Sequence, residues 1–261
     1  MTQMESILYT IEDGIAILTL NRPDKYNSFN REMALRLQER LNDAATDPNI
    51  RCVYLTGAGK AFCAGQDIAE IVDPGGPGMD KILSEHYNPI IKRIRSLPKP
   101  VVAAVNGVAA GAGANIALAC DITIASSSAS FLQAFSKIGL IPDSGGTYFL
   151  PRLIGLQKAT AFMMLGEKVS AAEAEKCGMI FKVIPAEEFT IEAMKIAVTL
   201  AKLPTTALAY TKTALNASLT NNLQDQLALE DKYQQMAAET NDFKEGITAF
   251  IEKRQAIFTG N

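Results

Sequence analysis

The sequence predicts an α/β fold with layered sheets, followed by a helical tail. Three observations lead there. Short β-branched and apolar runs alternate with helical patterns as far as Ile184, the rhythm of strand–helix units. Beyond Pro185 no convincing strand appears, and four long amphipathic patterns follow. The chain has 261 residues and is 48% hydrophobic, enough for one large core with a small appendage.

Residues 5–20 alternate and predict a strand pair turning at Asp13-Gly14. A helix is expected over Asn30–Ala45, with Asn30 as N-cap and Met33, Leu35, Leu37 and Leu41 on its apolar face. Arg51–Thr56 reads as a short strand and Gly57-Ala58-Gly59-Lys60 as a loop. Residues 72–79 hold two prolines and three glycines; they are a lid beside a pocket or a plain connection. A helix over 80–96 ends at Pro98 and Pro100. Pro100–Val105 is a strand, and V-A-A-G-A-G-A-N-I-A-L-A-C from Val108 reads as the start of a helix of small residues. Asp121–Ala125 and Phe181–Ile184 are further strands. Helices are expected from about Ser144, near Leu156–Leu165 and over Ala171–Cys177. The tail predicts helices over 187–202, 206–218, 221–239 and 242–256.

Composition excludes several classes of function. The net charge is −3, with no Lys/Arg-rich run, so no nucleic-acid partner is expected. No apolar run approaches the ~20 residues of a membrane span, and M-T-Q-M-E-S lacks the pattern of a signal peptide. Cys52, Cys63, Cys120 and Cys177 are scattered without a CxxC, which favours buried free thiols and a cytoplasmic location. The one histidine, His86, lies in the polar segment E-H-Y-N-P and reads as exposed or as a minor packing residue. With a single histidine and no acidic cluster at ligand spacing, no metal site is expected.

Three stretches could carry chemistry. Ala61–Asp67 (A-F-C-A-G-Q-D) and Gly107–Asn115 (G-V-A-A-G-A-G-A-N) both follow strands and are stripped of side-chain bulk. A ligand could approach their backbone, and two unpaired N–H groups aimed at one point would make an oxyanion hole. Close helix–strand packing asks for the same small residues. The third stretch, Ser136–Gly146 (S-K-I-G-L-I-P-D-S-G-G), holds one carboxylate, Asp143, before an expected helix start. Asp143 is an N-cap or an acid–base group. The apolar residues Ile138, Leu140 and Ile141 suggest its partial burial, which would raise its pKa. G-A-G-K lacks the glycine and hydroxyl residue of a P-loop, and G-A-G-A-N-I lacks the third glycine of a dinucleotide fingerprint.

Six ordered motifs make the chain resemble the crotonase (enoyl-CoA hydratase/isomerase) superfamily along nearly its whole length. They are L-N-R-P with N-S-F (20–29), L-T-G-A-G-K-A-F-C-A-G-Q-D-I (55–68) and K-P-V-V-A-A-V-N-G-V-A-A-G-A-G-A (99–114). S-K-I-G-L-I-P-D-S-G-G-T (136–147), L-P-R-L-I-G (150–155) and E-G-I-T-A-F-I-E-K-R (245–254) complete them. The resemblance implies a spiral ββα core over residues 1–195, binding and catalytic, and a C-terminal helical oligomerisation region over residues 196–261. It implies homotrimers or dimers of trimers, and acyl-CoA thioester substrates whose enolate is held by two backbone N–H groups, here those of Gln66 and Ala112. Ala64, Gln66, Asp67 and Ile68 would line the CoA path, Lys25 would lie near the CoA phosphates, and Lys253 would reach the CoA of a neighbouring subunit. No metal or redox cofactor is implied, coenzyme A being part of the substrate.

The departures from the family pattern narrow the expected reaction. At the two glutamate positions of the hydratases this chain has Asn115 and Phe135, neither of which can exchange a proton with water as a carboxylate does. Where hydratases carry glycine it has Asp143, a pattern similar to family isomerases that place one aspartate after I-P. The resemblance thus points to an isomerase with Asp143 as acid–base group. A hydratase or double-bond isomerase for aliphatic enoyl-CoA, and a non-catalytic binding member, are the rivals.

Overall fold

The computed structural model describes residues 5–261; the start of the chain, on which the expectation about a signal peptide rests, lies outside them. The hairpin forms as its sequence predicts. β1 (Ile7–Glu12) pairs antiparallel with β2 (Ile15–Leu20), and the turn places Asp13 at φ 47° and Gly14 at φ 77°, the left-handed pair that a two-residue hairpin favours. Helix α1 (Arg31–Thr46) follows, and the Asn30 side chain accepts from the Met33 N–H, satisfying one of the free donors at its start. Its buried face is Met33, Ala34, Leu37, Gln38, Leu41 and Ala44. Leu35, expected on that face, is exposed, because it sits about 100° of helix rotation from Ala34 and away from the i, i+4 stripe.

A repeating path then begins. β3 (Cys52–Gly57) joins one sheet and β4 (Ala61–Cys63) a second, before α2 (Ile68–Val72), α3 (Gly78–Lys81), a wide helical turn over Ile82–Tyr87, and α4 (Asn88–Ser96). β5 (Val101–Val105) returns to the first sheet, β6 (Val108–Ala110) to the second, and α5 (Ala112–Ala119) follows. β7 (Ile122–Ser126) and β8 (Ser130–Leu132) repeat the step. Each turn of this spiral lays one strand in each sheet and then a helix across them. Val108–Ala110, expected within the helix of small residues, is therefore a strand. α6 (Gly146–Ile154), α7 (Leu156–Leu165), β9 (Lys168–Ser170), α8 (Ala171–Lys176) and β10 (Lys182–Ile184) complete the body. α9 (Phe189–Ala201), α10 (Thr205–Ser218), α11 (Leu223–Ala238) and α12 (Asn241–Glu252) form the tail. The last ends four residues short of its expected end, with Lys253 in the left-handed conformation at φ 55°.

The first sheet has the order β1-β2-β3-β5-β7-β10 and the second β4-β6-β8-β9. Among the described residues only the β1–β2 and β8–β9 pairs are antiparallel. Both faces of the larger sheet are covered, which explains why its strands read as continuous apolar runs. Val53, Leu55, Val101, Ala103 and Val105 face the main core beneath α1, α4 and α5. Their alternating neighbours Cys52, Tyr54, Val102 and Ala104 pack against Phe189, Ala193 and Ala197 of α9. The division expected between residues 195 and 196 thus falls inside a helix that seals the sheet. α10 still buries Thr205 and Lys212 against the body, whereas α11 buries no residue and Phe243, Ile247, Phe250 and Ile251 of α12 are exposed.

Candidate active site

An apolar pocket of about 740 Å³, its open mouth included, lies where the second sheet, α5 and the segment before α6 meet. This is within the size range of small-molecule sites. One wall is Ala64, Gly65, Gln66 and Ile68; another is Ala110, Gly111 and Ala112. Ile71, Met79, Ile82 and Tyr87 form a third side, and Phe135, Ile138, Leu140 and Asp143 close it. Asp143 is the one carboxylate among these residues. The 72–79 segment bridges two pocket residues, Ile71 and Met79, through a turn in which Asp73 accepts from Gly75 and Gly76.

Two residues that line this pocket, Gln66 and Ala112, have backbone amides that are not used by the fold. Phe29 bridges Gln66 in parallel register, through Phe29 N–H to Gly65 O at 2.7 Å and Asp67 N–H to Phe29 O at 2.8 Å. The bridge uses the groups that flank Gln66 and leaves the Gln66 N–H on the other side of the strand. Ala112 is the first residue of α5, so its N–H has no acceptor within the helix. Among the described residues neither amide has a backbone acceptor. Gly65 lets the two segments approach: a Cβ there would meet Ala110 O at 3.0 Å and Ala112 N at 3.6 Å.

Asp143 does not cap α6, as its sequence position had suggested it could. The helix starts at Gly146, after Ser144 at φ 51° and Gly145 at φ 75°. These two left-handed residues turn the chain so that only the Asp143 carbonyl serves the helix start, accepting from Gly146 N–H at 2.8 Å. The carboxyl is half-buried and accepts from the Ser144 hydroxyl at 2.8 Å. Burial pushes its pKa above the ordinary aspartate value, and the Ser144 hydrogen bond pulls it partly back. The apolar run expected to bury it does so only in part. Ile138 and Leu140 line the pocket, whereas Ile141 is 81% exposed.

Removing the Ser144 hydroxyl takes away the one hydrogen bond that favours ionised Asp143. Ser144→Ala is expected to shift the acid limb of the kcat/KM–pH profile to higher pH, because a base that must be ionised then gains its proton more readily. Steady-state kinetics across pH 4–8 check this.

Asn115 and Phe135, the residues expected at the two hydratase glutamate positions, carry no carboxylate. Asn115 is fully buried on α5 and Phe135 lines the pocket wall. The other expected site residues divide. Ala64, Gln66, Ile68 and Ala112 lie on the pocket, whereas Lys25, Asp67 and Lys253 are not among its lining. Asp67 pairs with Arg22 at 2.8 Å and accepts from Ala69 N–H to cap α2. Lys25 ends an exposed single turn, Pro23–Lys25.

Sequence reading missed Tyr87. It is fully buried, lines the pocket and donates to Gln66 Oε1 at 2.8 Å, while Gln66 Nε2 donates to Glu70 Oε2 at 2.7 Å. Burial pushes the Tyr87 hydroxyl well above its usual pKa, so it is a neutral donor. The wide turn over Ile82–Tyr87 aims it, and the Gln38 side chain donates to the Glu85 and His86 carbonyls of that turn. Such turns recur at functional sites. His86, expected exposed or a minor packing residue, is wholly buried beside Tyr87, and burial lowers its pKa. The four thiols are free, and burial pushes Cys52, Cys63 and Cys120 up to about 12.

The family model for enoyl-CoA hydratase/isomerase matches residues 10–261. The chain belongs to the enoyl-CoA hydratase/isomerase family. It is 50% identical to a protein of Escherichia coli named 1,2-epoxyphenylacetyl-CoA isomerase, over 98% of this chain and 99% of that one. It is 44% identical to a protein of Rhodobacter capsulatus named a probable enoyl-CoA hydratase, over 98% of each. The crystal structure of an enoyl-CoA hydratase from Bacillus anthracis superposes with a TM-score of 0.91 at 33% identity, over 98% of this chain and 100% of that one. The spiral of paired sheets is thus the crotonase fold of that family. Among the described residues no helix is long and apolar enough to cross a membrane, and no cluster of three metal-ligating side chains occurs.

Proposed function

We propose that this family member is an acyl-CoA isomerase that converts ring-1,2-epoxyphenylacetyl-CoA to the seven-membered oxepin-CoA. One observation carries the reading: a pocket with two free backbone amides, Gln66 and Ala112, contains a single carboxylate, Asp143. The thioester carbonyl sits between those amides. Asp143 takes a proton from C2, and the amides hold the enolate oxygen, where preorganised donors act most strongly. Charge moves into the ring, the epoxide system opens, and Asp143 returns its proton to the ring. One proton leaves and one comes back, so the chemistry needs no metal, oxidant or reductant. The likeness to the E. coli isomerase supports this substrate, and the apolar walls of Tyr87 and Phe135 suit an aromatic acyl group.

The CoA chain runs along Ala64, Gln66, Asp67 and Ile68 with Lys25 towards its phosphates, and Lys253 reaches the CoA of a neighbouring subunit. The exposed apolar residues of α12 support assembly through the tail, as a homotrimer or a dimer of trimers. Shifting the double bond of an aliphatic enoyl-CoA would use the same groups.

Incubation with ring-1,2-epoxyphenylacetyl-CoA and, separately, with crotonyl-CoA tests the reading by absorbance, which follows the rearrangement, and by mass spectrometry, which follows the gain of water. The epoxide is expected to rearrange without a change of mass. Crotonyl-CoA is expected to gain no water at a comparable rate; efficient hydration would overturn an acid–base role confined to Asp143.

A further inference from the structure

Asn115 is more than a missing glutamate. It is fully buried, and both ends of its amide are engaged. Its Nδ2 donates to the Asp143 main-chain carbonyl at 2.8 Å. Its Oδ1 accepts from Gln133 Nε2 at 2.7 Å. Gln133 is itself 97% buried, being 3% exposed, and its Oε1 has no partner, so its amide is tied down by the donation to Asn115. The turn that carries Asp143 is seated directly on this amide. A Cβ at Gly146 would lie 2.4 Å from Asn115 Nδ2, so nothing bulkier than glycine fits there. Nor does the turn hold itself in place without strain, because Ser144 adopts φ 51°, a left-handed conformation unfavourable for a non-glycine residue.

We infer that Asn115 is a positioning residue for the isomerase reaction, in which the buried relay Gln133–Asn115–Asp143 carbonyl clamps the strained turn and fixes the Asp143 carboxyl against C2 of the acyl group. This rests on the acid–base role proposed for Asp143. An amide suits the task where a carboxylate does not. It donates to the Asp143 carbonyl and accepts from Gln133 at once, whereas an ionised carboxylate can only accept. A glutamate, one methylene longer, would also press on Gly146.

Deuterium exchange at C2 of phenylacetyl-CoA in D2O, followed by mass spectrometry, tests the inference on a stable thioester with no epoxide. Asn115→Asp is nearly isosteric and loses the donor; Gln133→Met keeps Asn115 but frees its amide. Displacing a reacting group by about 1 Å costs up to ~10²-fold. Asn115→Asp is therefore expected to lower kcat for exchange by about 10–100-fold with KM within about twofold of wild type, and Gln133→Met to lower it by less. In Asn115→Asp the acid limb of the rate profile should also move to higher pH, because the new carboxylate disfavours ionised Asp143. Thermal melting identifies any variant that fails to fold, and Gln133→Met then carries the test. Folded variants that exchange at the wild-type rate, or that lose kcat and KM in parallel, overturn the clamp while leaving the Asp143 assignment standing. Failure of the wild-type protein to exchange overturns the acid–base role and the clamp with it.

Discussion

Asp143→Asn is expected to lower isomerase kcat by about 10²–10⁴-fold, the usual contribution of a positioned acid–base group. The amide keeps the shape and the Ser144 contact but cannot take the proton from C2. KM should change little, since the size and planar shape of the side chain are retained. Stability should not fall, and the direction follows from the raised pKa. A carboxyl whose folded pKa exceeds its unfolded value binds its proton more tightly when folded. Stability is therefore lost as pH rises between the two values, and at neutral pH the ionised Asp143 is a cost. Removing that charge should leave the melting temperature equal or higher. A large loss of kcat together with a lower melting temperature would instead mark Asp143 as a structural cap.

Ala112→Pro is expected to raise the barrier by about 2.7–4 kcal/mol, or ~10²–10³-fold in kcat, through loss of one oxyanion donor. A backbone donor is normally beyond the reach of mutation, but Ala112 is the first residue of α5. Proline is favoured at that position because its missing N–H has no helical partner anyway. The helix should therefore persist while the amide is lost. Calorimetric binding of phenylacetyl-CoA separates the two ways in which the variant could fail. Retained affinity with slow turnover supports the donor role, whereas lost affinity means that the ring merely obstructs the pocket.

How much of this was legible in the sequence depended on element length. The hairpin at Asp13-Gly14 and the Asn30 cap were readable because their signals are local: a left-handed turn pair and a side-chain acceptor. The larger sheet was readable because burial on both faces leaves long apolar runs. The second sheet was not. β4, β6, β8 and β9 are three residues each, too short for a period of two to appear. β6 is built from valine and alanine ahead of a helix, so it merged with it.

The candidate site was legible in its backbone and obscure in its side chains. Glycine and alanine at 64–65 and 110–113 announced a close approach, and Asp143 was the one carboxylate of its stretch. What escaped was Tyr87, whose direction depends on the wide helical turn over Ile82–Tyr87. The hydrophobic pattern of that region suits an ordinary helix, in which Tyr87 would be rotated elsewhere. The partial burial of Asp143 was legible, but not the groups that hold it. Ile138 and Ile141, a few residues away in sequence, are 59% and 81% exposed; Ser144 next to it holds the carboxyl, while a remote element holds its main-chain carbonyl. Asn115 illustrates the same point, since only the folded chain brings it 2.8 Å from the Asp143 carbonyl, 28 residues away.

Proton removal from C2 by Asp143 is the step on which everything else depends. Mass spectrometry of phenylacetyl-CoA incubated in D2O with wild-type protein and with Asp143→Asn measures it without any ring chemistry. Wild type should load deuterium at C2 and Asp143→Asn should leave the thioester unlabelled; equal labelling by both proteins would contradict the assignment of Asp143 as the base.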